Sequence, residues 1–282
     1  MLLDFIRRIQ PISHGHYHRQ VRLLAAEPSR LENSTELKSH ELLSSRDSNG
    51  FLEYTDGQWM RMRAAHRRQS FKQMGRQSEY GPEYFQYNWE PTLSCAMEQR
   101  IGPVGDGGKW VCDAYRVADA EECNVVSIGS NNDWSFEEAV HRLNPRCKIF
   151  TFDHTIVPYH VPYYVNFHGI GLGSSDNGPL LTLESALRVI GLQNKTVDIF
   201  KIDCEGCEKD VFREFLKADL RQVLIEVHKS SWDVDSFFQA MTSAGYVIFH
   251  KEPNTYGCGG DCIEYGFIKM KLDFAVVPHL TN

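Results

Sequence analysis

The feature that most constrains the fold of this chain is an alternation, from residue 123 onwards, of short apolar runs with segments of helical period. The runs are rich in Val, Ile and Phe, and they read CNVVSIG, KIFTFD, YYVNFHGIGL, VDIFKID and QVLIEVH. Strands that alternate with helices along a chain form a parallel sheet with helices on both faces. The sequence therefore predicts an α/β fold built on a mostly parallel sheet.

Signals for helix and strand ends support this fold. Ser135, with Glu138 three residues later, is typical of a capping box that opens a helix. Gly191 and Gly245 are expected to end helices, the second of which is expected to start at Asp233. The runs YVIFHKE and CIEYGFIKM leave no room for a helix between them, so an antiparallel hairpin is expected to close the sheet.

The N-terminal third of the chain has a different character. Residues 1–92 are polar and are predicted to form a partly helical extension, whereas residues 93–282 hold the folded domain. The basic stretch MRMRAAHRRQSFKQMGRQ is interpreted as a solvated helix face rather than a site for an acidic partner. With 282 residues, 42% of them hydrophobic, the chain can fill the core of one large domain or two small ones.

Charge and hydropathy limit the expected partners. The chain has 30 Lys and Arg against 37 Asp and Glu, a formal net charge of −7, so nucleic acid is not an expected partner. No stretch approaches the roughly 20 apolar residues of a transmembrane helix. The apolar start of MLLDFIRR is too short for a signal peptide. Compartment and oligomeric state stay open.

A nucleoside site is predicted where the first two strands end. Ligands of an open parallel sheet lie beyond the carboxyl ends of the strands, where the strand order reverses. Gly129 permits close backbone approach after the first strand, and Asp153 ends the second strand 24 residues later, where a carboxylate can accept from both ribose hydroxyls. The alternative is a plain turn and a solubilising strand-end carboxylate. The turn lacks the Gly-x-Gly-x-x-Gly fingerprint of dinucleotide sites, so no pyrophosphate is expected.

Five segments in linked order resemble a known family. They are RIGPVGDGGKWVCD, VVSIGSNNDWSFEEAV, FTFDHT, DIFKIDCEGCE and LIEVHKS. Together they resemble the class I S-adenosylmethionine-dependent methyltransferases and, among these, the methyltransferase-like family related to the FkbM sugar methyltransferases. The resemblance covers about residues 95–270. It implies a Rossmann-like, seven-stranded, mostly parallel sheet with the last strand antiparallel, S-adenosylmethionine as cofactor, and methyl transfer, often to a hydroxyl.

The resemblance also implies a cofactor site. Gly129, Ser130 and Asn131 would face the methionine part of the cofactor, and Asp153 its ribose. The glycine-rich loop RIGPVGDGGKW is expected to lie over the cofactor. Within this loop, Asp106 is the candidate for the amino group, and Gly107 supplies backbone freedom. The alternative for the loop is an irregular turn that holds the extension to the sheet.

Three residues are the catalytic candidates. Asp203 ends the strand beside the first strand, so its carboxylate is expected near the transferred methyl group. Glu205 follows at the start of a helix, where N-terminal capping is as good an interpretation as catalysis. His228 lies two residues after Glu226 on one face of VLIEVH, and its ordinary pKa near neutrality suits a general base. A buried, satisfied histidine is the alternative.

The cysteines leave three interpretations open. Cys204, Cys207, Cys258 and Cys262 have a spacing compatible with zinc, although Cys204 and Cys207 depart from the family pattern of small or aliphatic residues. A disulfide could form among Cys95, Cys112 and Cys123. Ordinary thiols are the favoured interpretation, and no metal ligand is assigned.

Three classes of function compete. The leading one is an enzyme that moves a methyl group to a hydroxyl of a small molecule or a glycan. The second is a binding or scaffold protein that keeps the fold without turnover, which the altered turn after Gly129 and the inserted cysteines would suit. The third, a nicotinamide-dependent oxidoreductase, lacks its glycine fingerprint.

Overall fold

The structure is a computed structural model that describes residues 41–69, 83–228, 234–254, 258 and 262–275. The first 40 residues of the predicted extension, part of its basic stretch, and Asp233 lie outside the described residues. Within the described ranges, no helix combines the length and the apolar character that crossing a bilayer requires.

From residue 123 onwards, helices and strands largely alternate as the sequence predicts, although the four strands between residues 147 and 181 follow one another without a helix. The helices are α1 Leu43–Asp47, α2 Asp56–Arg68, α3 Glu83–Tyr87, α4 Ala114–Asp119, α5 Ser135–Leu143, α6 Leu183–Val189, α7 Glu208–Phe215, α8 Val234–Ser243 and α9 Leu272–Ala275. The strands are β1 Gln99–Ile101, β2 Lys109–Val111, β3 Cys123–Ile128, β4 Cys147–Phe152, β5 Val165–His168, β6 Gly171–Leu172, β7 Leu180–Leu181, β8 Val197–Ile202, β9 Leu220–His228, β10 Tyr246–Pro253 and β11 Cys262–Lys269.

The central sheet has seven strands in the order β10-β11-β9-β8-β3-β4-β5. Strands β5, β4, β3, β8 and β9 are parallel, and β11 is antiparallel to both β9 and β10. The predicted sheet with its closing antiparallel hairpin is confirmed. Because β3 lies between β4 and β8, the carboxyl ends of these three strands meet where the strand order reverses.

Successive residues of the strands fill two hydrophobic layers, because side chains of a strand alternate between its faces. Val125 and Ile199 belong to the layer that also contains side chains of α2, α4 and α5. Val126 and Phe200 belong to the opposite layer, with side chains of α6, α7 and α8. Helices therefore cover both faces of the sheet.

The described part of the predicted extension contributes to both layers. Trp59 of α2 is fully buried in one layer, and Phe85 of α3 is buried in the other. Burial of a large apolar side chain stabilises a fold by roughly 1.5–3 kcal/mol. These residues therefore help to stabilise the sheet, and the domain boundary at residue 92 stays a prediction.

Two helix ends and the start of α5 at Ser135 are confirmed, but the predicted capping box is wrong. Gly191 and Gly245 follow α6 and α8 with φ of 71° and 91°, the left-handed conformation that ends helices. The capping box at Ser135 does not form, because Trp134 is the N-cap and its side chain makes no capping hydrogen bond. The amide of Ser135 donates instead to Oδ1 of Asp133 at 2.9 Å.

All eight cysteines form disulfides, so the favoured interpretation as ordinary thiols is wrong. The pairs are Cys95–Cys112, Cys123–Cys147, Cys204–Cys207 and Cys258–Cys262. The first pair is one of the disulfides that the sequence left open. The folded sheet brings Cys123 and Cys147 together because they are register partners on neighbouring strands, a proximity that their spacing alone does not reveal. The four cysteines of the zinc alternative are bonded to one another in pairs and offer no thiolate.

These bonds predict a simple alkylation result. A thiol reagent added to the denatured, unreduced protein should label none of the eight cysteines, because the thiolate is the reactive species. After reduction, intact mass should show eight labels per chain. Any label that is incorporated before reduction would contradict the four bonds.

Candidate active site

A cavity of about 400 Å³ opens at the carboxyl ends of β3, β4 and β8, beside the point where the strand order reverses. Its volume falls within the range of small-molecule sites. Nearly all the residues singled out from the sequence line it, and these are Asp106, Gly107, Gly129, Ser130, Asn131, Asp153, Asp203 and Glu205. The exception is His228, which does not line the cavity but lies beside Glu205. The sheet thus brings the predicted cofactor and catalytic residues to one place.

The turn after β3 needs a glycine at its first position. Gly129 has φ of 79°, and a Cβ atom at this residue would lie 1.8 Å from the carbonyl oxygen of Asp203. Asn131 and Asn132 also have positive φ, which asparagine tolerates better than most residues. The buried Lys201 ammonium donates to the Gly129 carbonyl at 2.7 Å. The turn is therefore held against the end of β8.

The carboxylate of Asp153 holds the same turn from the other side. Its Oδ2 accepts from the amides of Ser130 and Asn131, each at 2.9 Å. Its Oδ1 accepts from the amide and the hydroxyl of Thr155 at 2.9 and 2.6 Å. Burial acts to raise the pKa of Asp153, but the hydrogen bonds from Thr155, Asn131 and Ser130 outweigh burial and lower it. The predicted contact with a ribose stays a prediction, and a ribose would have to share this carboxylate with the turn.

The glycine-rich loop between β1 and β2 is fastened to the sheet and reaches the cavity. Arg100 of β1 donates from Nε to the Pro103 carbonyl at 2.7 Å and from its guanidinium to the carbonyls of Gly105 and Gly108. Gly107 has φ of 83°, and it lines the cavity next to Asp106. The loop is therefore a structural turn and also part of the cavity wall, so elements of both interpretations of it are present.

Lys109 lies beside the end of β8 and is an internal counterion for Asp203. The Lys109 side chain is only 2% exposed, and its ammonium donates to Oδ2 of Asp203 at 3.1 Å and also to Glu264. Burial acts to lower the pKa of Lys109, but Asp203 and Glu264 raise it well above the ordinary lysine value. Burial likewise acts against the charged form of Asp203, yet Lys109 and Lys201 hold the pKa of Asp203 well below its usual range. Asp203 is therefore ionised at the cavity wall.

Glu226 of β9 shares a proton with Asp203. Burial, followed by the hydrogen bond and charge of Asp203 and the charge of Glu264, raises the pKa of Glu226 to about 8. Asn254 donates to its Oε1 at 2.7 Å, which leaves the other oxygen to carry the proton. At neutral pH the two carboxyl groups therefore hold one proton and one negative charge between them.

His228 is a cation at neutral pH. Its Nδ1 lies 2.9 Å from Oε1 of the buried Glu208, and its Nε2 lies 3.4 Å from Oε2 of Glu205. Burial acts to lower the pKa of His228, but Glu208, Glu226 and Glu205 raise it to about 9. The expectation of an imidazole with a near-neutral pKa is therefore wrong, chiefly because the buried Glu208 hydrogen-bonds to the ring and holds its charge beside it. A catalytic role for His228 stays a prediction.

The two glutamates of the CEGCE segment have different surroundings. The Glu205 side chain is 86% exposed at the cavity, on a backbone with φ of 54°. Glu208 is fully buried in the first turn of α7, and its Oε2 accepts from the Gly206 amide at 2.9 Å. Glu208 thus fixes the segment and His228, whereas Glu205 is free to meet a ligand.

Two lysines and one glutamate of this network were not singled out from the sequence. They are Lys109, Lys201 and Glu264, all of them buried. A signal existed for Lys201 and Glu264, because each interrupts an apolar strand, and a charge inside such a run seldom lacks a partner. The partners themselves could not be read, since Lys109 and Glu264 are 155 residues apart in the sequence.

A family model described as a methyltransferase domain matches residues 42–269. The matched region contains the whole seven-stranded sheet and every residue that lines the cavity. No curated protein matches the chain.

Three solved structures are among those to which this chain is similar. The fibrillarin pre-rRNA processing protein of Methanococcus jannaschii is 10% identical, with a TM-score of 0.35 over 62% of this chain and 83% of that chain. Sp1610 of Streptococcus pneumoniae, in complex with S-adenosyl-L-methionine, is 15% identical, with a TM-score of 0.35 over 58% and 78%. MNMC2 of Aquifex aeolicus is 8% identical, with a TM-score of 0.34 over 78% and 79%.

The raised pKa of Glu226 predicts how stability depends on pH. The folded chain keeps this proton up to about pH 8, whereas the unfolded chain loses it near the ordinary glutamate pKa of 4.5. Because the folded state binds more protons between these values, the free energy of unfolding should fall as pH rises, by up to about 1.4 kcal/mol per unit from this group. Denaturant unfolding of the wild type and of Glu226→Gln from pH 5 to 8 measures this slope, and the variant should be flatter.

The exposed Glu121 provides the control. Glu121→Gln should keep the wild-type slope. His228 also makes the free energy of unfolding fall as pH rises. Its protonated form stabilises the folded state fully below about pH 6.5, and this stabilisation is lost as pH rises to about 9. Equal slopes for the wild type and Glu226→Gln below pH 6.5 would contradict the shared proton.

Proposed function

The chain belongs to the methyltransferase domain family and is an S-adenosylmethionine-dependent methyltransferase, and on this premise we propose that it methylates a hydroxyl oxygen of a small molecule or a glycan. The observation that carries the proposal is the set of carboxylates at one strand edge. Asp203, ionised and backed by Glu226 and Lys109, faces the cavity in which an acceptor would have to meet the cofactor.

The cavity suits the charge and the size of S-adenosylmethionine. Its lining contains five carboxylate side chains and one lysine, and these are Asp106, Asp133, Asp153, Asp203, Glu205 and Lys201. An acidic lining favours a ligand that carries a sulfonium and an ammonium group. The turn at Gly129 leaves room that a Cβ atom would take.

Three segments would hold the cofactor. The turn of Gly129, Ser130 and Asn131 would face its methionine part, and Asp106 its amino group. Asp153 would take the ribose while it keeps its hydrogen bonds to the turn. The fixed glycine-rich loop would exclude water from one side of the bound molecule.

When bound, S-adenosylmethionine supplies an electrophilic methyl group on a cationic sulfur. The protein must align the acceptor and take or share its proton as charge develops on oxygen. Asp203 is the group at the cavity wall that would accept a hydrogen bond from the hydroxyl. At neutral pH it can only share the proton, because its own pKa is depressed. Above about pH 8, Glu226 is also ionised, and the pair can take a full proton.

His228 and Glu205 would have supporting tasks. The charged imidazole of His228 would hold the exposed Glu205 at the cavity mouth at neutral pH, across the 3.4 Å between Nε2 and Oε2. Once deprotonated, above about pH 9, His228 could itself act on the proton. Glu205 would then be the group that meets the polar part of an acceptor.

The class of acceptor rests on chemistry and on resemblance. A base is needed for a hydroxyl, whose pKa lies far above 7, and the carboxylates at the cavity suit that need. The five linked motifs resemble the FkbM sugar methyltransferases, which supports a hydroxyl of a glycan or a small molecule. The net charge of −7 and the acidic cavity disfavour a phosphate backbone.

We expect Asp153→Ala to weaken binding of S-adenosylmethionine by at least about tenfold, since each charge-assisted hydrogen bond is worth roughly 1.5–3 kcal/mol. Titration calorimetry on the folded variant measures the affinity. Asp119→Ala, at an exposed position on α4, is the matched control and should bind like the wild type. Unchanged affinity in folded Asp153→Ala would remove the assignment of the ribose site.

We expect Asp203→Asn to lower kcat by roughly 100-fold, the usual range for a lost general base, with cofactor affinity within a few-fold of the wild type. The assay supplies the protein with methyl-labelled S-adenosylmethionine and extracts that contain glycans and small molecules, and mass spectrometry locates the labelled ether. Asp210→Asn on the exposed side of α7 is the control. Label on nitrogen or on nucleic acid, or wild-type turnover by Asp203→Asn, would overturn the proposal.

A further inference from the structure

The disulfide Cys204–Cys207 lies in the wall of the cavity. It closes a short ring between the end of β8 and the start of α7, with a sequence separation of 3. Both cysteines line the cavity, and so does Glu205 between them. The catalytic candidate Asp203 is the residue directly before the ring.

This disulfide differs from the other three in exposure. Each of the other pairs has at least one buried member, and the buried members are Cys112, Cys123, Cys147 and Cys262. Cys204 and Cys207 are both only half-buried. Thiol–disulfide exchange requires that a thiolate reach a sulfur atom, so accessible bonds are the labile ones.

The ring contributes little to global stability but much to local shape. The stabilisation from a disulfide grows with the size of the loop that it closes, and this loop is about as small as a loop can be. Inside it, Glu205 and Gly206 have φ of 54° and 105°, two successive residues in left-handed conformations. A cross-link around such a pair restricts the segment to this conformation.

The conformation of residues 204–207 affects both the catalytic candidate Asp203 and the predicted cofactor turn at Gly129. The amide of Asp203 donates to the Ile128 carbonyl at 3.0 Å, and the Asp203 carbonyl lies against Gly129 at the cofactor turn. A segment released from the ring would therefore alter the position of Glu205, and it would loosen Asp203 against the turn.

We propose that Cys204–Cys207 is a thiol-exchange site for a dithiol reductant, and that its reduction weakens binding of S-adenosylmethionine. The inference rests on the proposed cofactor site. One thiolate of the reductant attacks Cys204 or Cys207, forms a mixed disulfide and releases the other cysteine as a thiolate. The second thiol of the reductant then displaces the bound cysteine. The protein gains two electrons and two protons as thiols, and the reductant leaves as its own disulfide.

Thermodynamic linkage gives this site a second readout. If reduction weakens cofactor binding by a certain factor, the bound cofactor disfavours reduction by the same factor. A roughly tenfold effect corresponds to a shift of about 30 mV in the midpoint of this two-electron couple.

The experiment equilibrates the full chain in oxidised and reduced dithiothreitol at graded ratios, traps the thiols by alkylation and maps them by mass spectrometry. Cys204 and Cys207 should be the first pair to become labelled. Calorimetry on protein reduced at this pair alone should give a Kd for S-adenosylmethionine about tenfold above that of the oxidised protein, and reoxidation should restore it. When S-adenosylmethionine is present, half-reduction of Cys204–Cys207 should require a higher ratio of reduced to oxidised dithiothreitol.

Two double variants test the proposal without relying on complete reduction of the disulfide. Cys204→Ser/Cys207→Ser should bind the cofactor as weakly as the reduced protein and should not respond to dithiothreitol. Cys258→Ser/Cys262→Ser removes another short-range disulfide that does not line the cavity, and it should keep the redox response. Tight binding by the oxidised chain that reduction leaves unchanged, or labelling of a buried pair first, would overturn the thiol-exchange site. No binding by the oxidised chain would instead refute the proposed cofactor site.

Discussion

The site depends on the close approach of two strand ends, β3 at Gly129 and β8 at Asp203. The Asp203 carbonyl occupies the space that any side chain at residue 129 would need. This contact aligns the turn after β3 with the segment after β8, and both segments line the cavity. The hydrogen bonds of Lys201 and Asp153 to the turn secure the same alignment. The backbone of the proposed cofactor site is therefore held in place by the fold itself.

A second constraint is the balance of charge behind the cavity. The carboxyl groups of Asp203, Glu226 and Glu264 lie around the buried ammonium of Lys109, and the charge of the buried Lys201 also acts on Asp203 and Glu264. Two lysines cannot neutralise three carboxylates in a poorly solvated place, so Glu226 keeps a proton. The same reasoning applies to His228, whose proton balances the glutamates around it. Glu226 and His228 are therefore protonated at neutral pH, close to the strand end where methyl transfer would release a proton.

The fold could be predicted from the sequence because it depends on patterns that repeat along the chain. The alternation of apolar runs and helical segments predicted the sheet, and the strand ends predicted which residues meet at its edge. The protonation of His228 could not be predicted, because the burial of Glu208 beneath it is a tertiary fact. The Cys123–Cys147 disulfide was missed for the same reason, since it depends on strand register. The capping box at Ser135 failed because Asp133, two residues earlier, takes the amide.

The proposed cofactor site is the edge formed by β3, β4 and β8, with the reactive centre of S-adenosylmethionine towards Asp203. A crystal structure of the oxidised chain with S-adenosylhomocysteine tests this claim most directly. We expect the ligand in the cavity, with its ribose beside Asp153 and its sulfur on the Asp203 side. A ligand bound elsewhere, or one with its ribose on the Asp203 side, would contradict the account.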